Sequence, residues 1–436
     1  MAFFIPYSMN IASIYKLFCE ANGVSTDSRN CPKGSLFFAL KGASFNGNQY
    51  AEKALEDGAS YAIVDEKVSS DKRCILVPNV LETLQKLANY HRRQLKTPII
   101  GITGSNGKTT TKELLATALK SRFKLHYTQG NFNNHIGVPL TLLQLDKSHE
   151  LAIVEMGANH PGEIAELAAI AEPNYGLITN IGKAHLAGFG GIEGVKKTKK
   201  ELYDFIREAG GKVFVNAKDE VLMQLSEGLN RLLYNAEQSF FHLDVESAIP
   251  KLKLRVTSDG ETDVLQTQLV GEYNVINLMV ALELGHFWGI DYLSMKKVLE
   301  AYVPSNNRSQ IVNTRFNTLI LDAYNANPAS MAVAVDNFVK LPDQHKVVML
   351  GAMKELGEYS KQEHQHLVDT VSQQAFDACF MVGEEFNEIS HKPKGILFFE
   401  DIKELKNHLK TAALKSSTVL IKGSRMMKME DLVEFL

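Results

Sequence analysis

The sequence predicts an α/β protein of three domains, each built on its own sheet. Three observations carry that reading. The chain has 436 residues, about three common domain lengths, and each part is long enough to bury a core. Short apolar runs alternate with helical segments over about 97–302 and again over 303–436, the pattern of largely parallel sheets covered on both faces. Residues 98–119, PIIGITGSNGKTTTKELLATAL, read as buried strand, glycine-rich turn and helix.

Apolar residues make up 45% of the chain and charged residues 22%, an ordinary globular balance. A net charge of −3 gives no sign of a nucleic-acid or lipid partner held by bulk electrostatics and leaves room for small local basic patches. Cys19, Cys31, Cys74 and Cys379 are far apart and form no C-x-x-C pair or metal-ligand spacing, so they are expected to be reduced thiols of a cytoplasmic protein. The opening MAFFIPYSMNIASIYKLF has no basic start or small-residue cleavage site, and it contains Pro6 and Asn10. It reads as a first strand and helix, not as a signal peptide. No apolar run approaches a membrane span.

The first domain, 1–96, is a small mixed unit. Strands are expected at 35–40 and 62–64, and a helix over 51–58 closed by Gly58. Thr26-Asp27-Ser28-Arg29 precedes the first of these strands, and Lys41-Gly42 with Asn46-Gly47 follows it. Arginine among hydroxyls at strand ends suits a phosphate or uronate, but taken alone these residues read first as ordinary turn and surface chemistry. A helix from Val80 to about Leu95 leads to Pro98, which disfavours continued helix and sets the boundary.

The second domain, 97–302, opens on the turn. A helix N-terminus offers unpaired N–H groups and positive potential to a phosphate. Gly104 and Gly107 let Ser105 and Asn106 curl around an anion, Lys108 can reach terminal phosphates, and Thr109, followed by Thr110, places a hydroxyl for Mg²⁺. The turn departs from G-x-x-x-x-G-K-[ST] in having Ile102 at the first glycine. On the following helix Leu114, Leu115, Ala118 and Leu119 form the apolar face, which leaves Lys112, Glu113 and Lys120 toward solvent. Further strands are expected at 151–154, 176–181 and 213–215. Parallel sheets bind ligands at the carboxyl ends of their strands, which brings Glu155, Asn180 and His185 to the rim that carries the turn. Lys196, Lys197, Lys199 and Lys200 follow. They form a solvated helix face, unless one carries a carbamate, which turns an ammonium without a lone pair into an anionic oxygen ligand. After strands within 250–270, Asn274 and Asn277 share one face of a helix over 275–285, placed to cap, to face solvent or to offer amides to a purine edge.

The third domain, 303–436, has candidate strands at 318–321, 346–350, 379–382, 396–399 and 418–421. It resembles a dinucleotide-binding sheet without the G-x-G-x-x-G turn, which argues against an oxidoreductase. Its strand ends carry DAYNANP (322–328), GAMKELG (351–357) and KGSR (422–425).

These segments, with TGSNGKTT (103–110), NFNNHIGVP (131–139) and His364, resemble the Mur ligases of peptidoglycan synthesis over essentially the whole chain. The resemblance implies a UDP-binding first domain, a central ATPase domain and a Rossmann-like third domain. It further implies a cytoplasmic, ATP-dependent ligase that joins D-alanyl-D-alanine to the terminal carboxylate of UDP-N-acetylmuramoyl-tripeptide through an acyl phosphate, acting as a monomer without nucleic acid. Residues 104–110 (Gly104, Ser105, Asn106, Gly107, Lys108, Thr109, Thr110) and Asn274, Asn277, Arg308 and Asp322 would hold ATP. Thr109, Glu155, His185 and a carbamylated Lys199 would hold Mg²⁺, with Lys108, Glu155, His185 and Lys199 as the catalytic set. Asp27, Ser28, Arg29, Gly42, Asn133 and Asn134 would meet the UDP-sugar peptide, and Tyr324, Asn325 and Asn327 the dipeptide. Two positions depart from the family pattern: Tyr273 stands where histidine is frequent, and Ala352 where aspartate is usual. The alternatives are another Mur ligase, a folylpolyglutamate synthetase-like ligase, or a nucleotide-binding switch without chemistry.

Overall fold

A computed structural model describes residues 9–248, 251–304, 307–412 and 414–436. The strand expected before Asn10 lies outside the described residues. The helix expected after it runs Ile11–Glu20, and the Asn10 side chain caps it by accepting from the Ser13 N–H at 3.0 Å.

Four short parallel strands form the first sheet in chain order: Val24–Ser25, Leu36–Phe38, Tyr61–Val64 and Cys74–Leu76. The helix Val80–Gln94 packs across it and continues onto the next unit. Arg92, buried near the end of that helix, donates to the carbonyls of Ala171, Leu95 and Glu172 and to Asn174 Oδ1 at 3.0–3.2 Å. One apolar cluster runs from Leu36, Phe38, Leu84 and Leu87 into Ile99, Val154 and Leu202, so the first unit and one face of the central sheet share a core.

The central sheet has six parallel strands in the order Arg231–Tyr234, Lys212–Asn216, Tyr175–Ile178, Ile99–Thr103, Leu151–Glu155, Leu125–Tyr127. The strand that feeds the glycine-rich turn lies inside it, buried throughout, with Ile100 and Ile102 on one face and Ile99 on the other. Chain order reverses across this strand, so the turn opens at the topological switch point. The helix after the turn, Lys108–Leu119, lies between this sheet and the helix Asn274–Phe287. That sandwich overturns one expectation. Lys112 is fully buried, because the helix has apolar or hydrogen-bonded neighbours on nearly every side, whereas Lys120 is exposed as expected. A three-stranded antiparallel sheet, Phe241–Ser247, Lys253–Ser258 and Glu261–Gln266, completes the unit.

The third sheet has the order Gln310–Asn313, Thr318–Asp322, Thr418–Lys422, Lys346–Gly351, Ala378–Val382, Ile396–Phe399. The last five strands are parallel, and Gln310–Asn313 is an antiparallel edge strand. No described helix is long and apolar enough to cross a membrane.

Since Arg92 ties the first unit to carbonyls that would otherwise be buried without donors, Arg92→Met should destabilise the chain by about 2–4 kcal/mol. A lowered first transition in urea, followed by near-ultraviolet circular dichroism, checks this.

Candidate functional site

The phosphate-loop backbone is fixed by the strand end beside it. Gly104 has φ 143 and Gly107 φ 77, values that side chains oppose. A Cβ on Gly104 would stand 2.0 Å from Thr179 Oγ1. Thr179 Oγ1 donates to the Asn106 carbonyl at 2.6 Å, Asn180 Nδ2 donates to the same oxygen at 3.0 Å, and Asn180 Oδ1 accepts from the Asn106 N–H at 3.0 Å. Ser105 adds an N–H to the Asn180 carbonyl and a hydroxyl to the Gly182 carbonyl, each at 3.0 Å. The loop is therefore preformed. Lys108 Nζ folds back onto the carbonyls of Gly104 at 2.6 Å and Ser105 at 3.2 Å. Burial, with a smaller contribution from the Arg308 guanidinium, lowers its pKa to about 8, against the pull of Glu155.

Glu155 ends the adjacent strand and is 1% exposed. Its Oε1 accepts from Thr109 Oγ1 at 3.1 Å and Asn133 Nδ2 at 2.8 Å. Its Oε2 is buried and has no hydrogen-bond partner among the described residues. A buried carboxylate oxygen left open beside a hydroxyl suits a hard cation such as Mg²⁺. Among the described residues no three His, Cys, Asp or Glu side chains cluster as a metal site, so the remaining oxygens would come from phosphates and water, as is usual for Mg²⁺. Lys199 lies behind this rim, 2% exposed, with its Nζ 5.4 Å from the centre of the Phe189 ring. Burial first, and the charge of Lys108 second, bring its pKa down to about 7.

The third unit closes the other side of a cleft of about 870 Å³. Asn327 caps the helix Pro328–Val339, and its Nδ2 donates across the cleft to Asn106 Oδ1 at 2.7 Å. The Arg308 guanidinium lies 3.7 Å from the Tyr324 ring centre, with Arg425 at 6.0 Å from the same ring. Asp322 Oδ2 receives Lys422 Nζ at 2.6 Å, and Lys422 also reaches the Asn325 carbonyl at 3.2 Å. Tyr273, where histidine is frequent, hydrogen-bonds Ser309 through their hydroxyls, a contact between the second and third units. His185, at φ 52, pairs through Nδ1 with Glu355, at φ 64. That contact holds Glu355 below the usual carboxylate range, chiefly through the His185 hydrogen bond. Lys183 pairs with Glu363 at 2.7 Å alongside.

The cleft gathers most residues singled out in the sequence. Residues 105–110 line it together with Asn133, Asn134, Glu155, His185, Asn274, Asn277, Arg308, Asp322, Tyr324, Asn325 and Asn327. Asn274 and Asn277 are braced from within: Asn277 Nδ2 donates to Asn274 Oδ1 at 2.8 Å, Asn277 Oδ1 accepts from Thr111 at 2.9 Å, and Asn274 Nδ2 donates to the Val270 carbonyl at 2.8 Å. Each keeps one amide hydrogen beyond these bonds. Gly104 and Lys199 do not line the cleft, nor do Asp27, Ser28, Arg29 and Gly42. There Asp27 accepts the Arg29 guanidinium at 2.8 and 2.9 Å on an exposed turn. Ala352 does not line it either, and lies fully buried in the apolar core of the third unit.

Thr179, Lys112, Lys354 and Glu355 escaped sequence reasoning as individual site residues. The Thr-Asn pair at the end of the 175–178 strand was the available signal for the first. His364 proves to be a brace. Its Nε2 accepts the Met353 N–H at 3.0 Å and its Nδ1 meets the Ser360 carbonyl at 2.8 Å, a pattern that requires the neutral ring.

Comparison with known proteins matches a family model to each of the three units. Residues 20–97 match a model described as Mur ligase family, catalytic domain; residues 102–285 match the Mur ligase middle domain; residues 307–425 match the Mur ligase, glutamate ligase domain. The UDP-N-acetylmuramoyl-tripeptide--D-alanyl-D-alanine ligase of Bacillus subtilis is 32% identical, over 95% of this chain and 92% of its own. A crystal structure of MurF from Acinetobacter baumannii superposes with a TM-score of 0.84 at 30% identity, covering 94% of this chain and 92% of that one. MurF ligase from Thermotoga maritima in complex with ADP gives 0.84 at 28% identity, over 96% and 97%.

Two outcomes are expected. Gly104→Ala should cost about 1–3 kcal/mol through strain and displace Thr179 from the loop, read as a lowered melting temperature together with lost nucleotide binding. Burial lowers the pKa of His364, so its neutral form favours the fold. Its contribution is complete above the unfolded value of about 6.5 and drains away as pH falls through that value toward the folded one. His364→Gln should flatten the loss of stability on acidification below about pH 6.5, measured by melting temperature against pH.

Proposed function

This chain belongs to the Mur ligase family, and we propose that it joins D-alanyl-D-alanine to the terminal carboxylate of UDP-N-acetylmuramoyl-tripeptide at the expense of ATP. One observation carries the reading: Asn327, within the DAYNANP segment, reaches the phosphate loop itself through Asn106. The ATP site and the segment proposed to hold the dipeptide thus open into one cleft.

In this reading residues 1–96 take the UDP end, 97–302 bind ATP and 303–436 bring the acceptor. A carboxylate is a poor acyl donor. The γ-phosphoryl group therefore passes to the carboxylate oxygen, and ADP leaves. The dipeptide amine then attacks the carbonyl carbon of the acyl phosphate, and the tetrahedral intermediate expels phosphate to give the amide. Phosphoryl transfer needs positioning and charge more than covalent help. Lys108 exchanges the carbonyls of its own loop for terminal phosphate oxygens, and Arg308, held flat on Tyr324, adds charge from the opposite wall. Thr109 and Glu155 Oε2 would hold Mg²⁺, which would supply neutralisation of phosphate charge. Closure of the third unit over the cleft keeps water from the acyl phosphate.

Lys199 is the proposed carbamate. A buried amine with its pKa near 7 is in good part uncharged at neutral pH. The free amine attacks carbon dioxide, forms the N–C bond and releases a proton, leaving an anionic oxygen pair behind Lys108.

The deciding experiment measures phosphate release from ATP and UDP-N-acetylmuramoyl-tripeptide with D-alanyl-D-alanine, D-glutamate or a diamino acid as acceptor. Release that depends on D-alanyl-D-alanine, with a product heavier by that dipeptide less water, is expected; release driven by another amine would reassign the acceptor. Lys199→Ala should abolish ligation and regain part of it with formate or acetate. Full activity in that variant would remove the carbamate.

A further inference from the structure

Lys112 has no place in the chemistry above, yet it is among the least accessible charges in the chain, at 0% exposure. It sits one helical turn below Lys108 on the same face of the phosphate-loop helix. An ammonium group is costly to bury unless its protons are directed at acceptors. Here Nζ donates to the Thr128 carbonyl at 2.6 Å, pairs with Glu113 Oε1 at 3.0 Å, and stands 3.8 Å from Glu155 Oε2, with the Tyr127 ring 5.6 Å away.

We propose that Lys112 is a positioning residue for Glu155: it supplies the fixed positive charge beneath that carboxylate and anchors the segment that carries Asn133. Two independent features support this. Glu155 Oε2 is a buried oxygen without a hydrogen bond, and Lys112 is its cationic neighbour within 4 Å. At that separation the two attract without hydrogen bonding, so Oε2 keeps its lone pairs for a ligand. The Thr128 carbonyl, held by Lys112, precedes the turn that brings Asn133 Nδ2 to Glu155 Oε1, and the Thr128 hydroxyl accepts the Glu155 N–H at 3.0 Å. Lys112 therefore grips the carboxylate both through space and through the Thr128 backbone. Lys108 also feels the charge of Glu155, but its ammonium is turned toward the loop carbonyls of Gly104 and Ser105 and makes no bond to the Thr128 segment.

The proposal rests on the reading of Glu155 as the divalent-cation ligand, and the test separates the two. Mn²⁺ is titrated into the ADP complexes of wild type, Lys112→Met and Glu155→Gln, and free Mn²⁺ is followed by electron paramagnetic resonance; metal-free ADP affinity is measured separately. Removing groups that orient a metal ligand weakens metal binding by about 10- to 100-fold. Lys112→Met is expected to fall in that range with metal-free ADP affinity unchanged. Wild-type Mn²⁺ affinity in Lys112→Met, with weakened binding in Glu155→Gln, would overturn the role of Lys112 and leave that of Glu155 standing. Wild-type affinity in both would overturn the two together. A lowered melting temperature without a change in Mn²⁺ affinity would reduce Lys112 to a packing residue and overturn the proposal. If the methionine variant does not fold, Lys112→Arg decides, since it keeps the charge and the carbonyl bond. Mn²⁺ affinity within about threefold of wild type is then expected, and weakening of about tenfold or more would overturn the proposal.

Discussion

The bonds that fasten Ser105 and Asn106 to Thr179, Asn180 and Gly182 set the geometry on which the rest of the site depends. Phosphate-binding loops hold several N–H groups in one direction, an arrangement that repels itself until an anion arrives. In this chain the Asn106 carbonyl and the N–H groups of Ser105 and Asn106 are claimed by the next strand end, and Lys108 takes the carbonyls of Gly104 and Ser105, so the turn keeps its shape through fixed partners. The order of strands makes this possible. The 175–178 strand lies directly beside the 99–103 strand in parallel register, and both deliver their carboxyl ends to the same level.

A second consequence of that level is the gradient of charge across the rim. Lys108 and Lys112 both act on Glu155, the buried carboxylate at that level. Burying like charges together is unfavourable without anions. The rim is thus a surface prepared for anionic ligands, although the chain as a whole is slightly acidic. Bulk charge and local charge answer different questions about partners.

How much of this was legible in the sequence differed by residue. The turn, Glu155 and the DAYNANP segment could be read because each follows a short apolar strand, and strand ends of a parallel sheet share one edge. All five strands expected in the third unit are present. The burial of Lys112 could not be read, because apolar periodicity assumes that one helix face meets water, and this helix is enclosed by the sheet and by Asn274–Phe287. The pairing of His185 with Glu355 spans 170 residues and depends on how two units meet. Arg29 was legible as a cation at a strand end but not as one bound to Asp27 two residues away, because local hydrogen bonding competes with any distant ligand. The antiparallel edge strand Gln310–Asn313 escaped because a short, half-buried edge carries little apolar signal.

Asn106 is joined on its backbone to the phosphate-loop clamp and on its side chain to Asn327 in the third unit. A single residue therefore links the two walls of the cleft. Any ligand that shifts it changes the free energy of the contact on the far side, and linkage requires that the effect run equally in reverse. The affinity of one surface is in this sense a property of the other, and an occupant of either wall can be weighed by what it does to binding at the opposite wall.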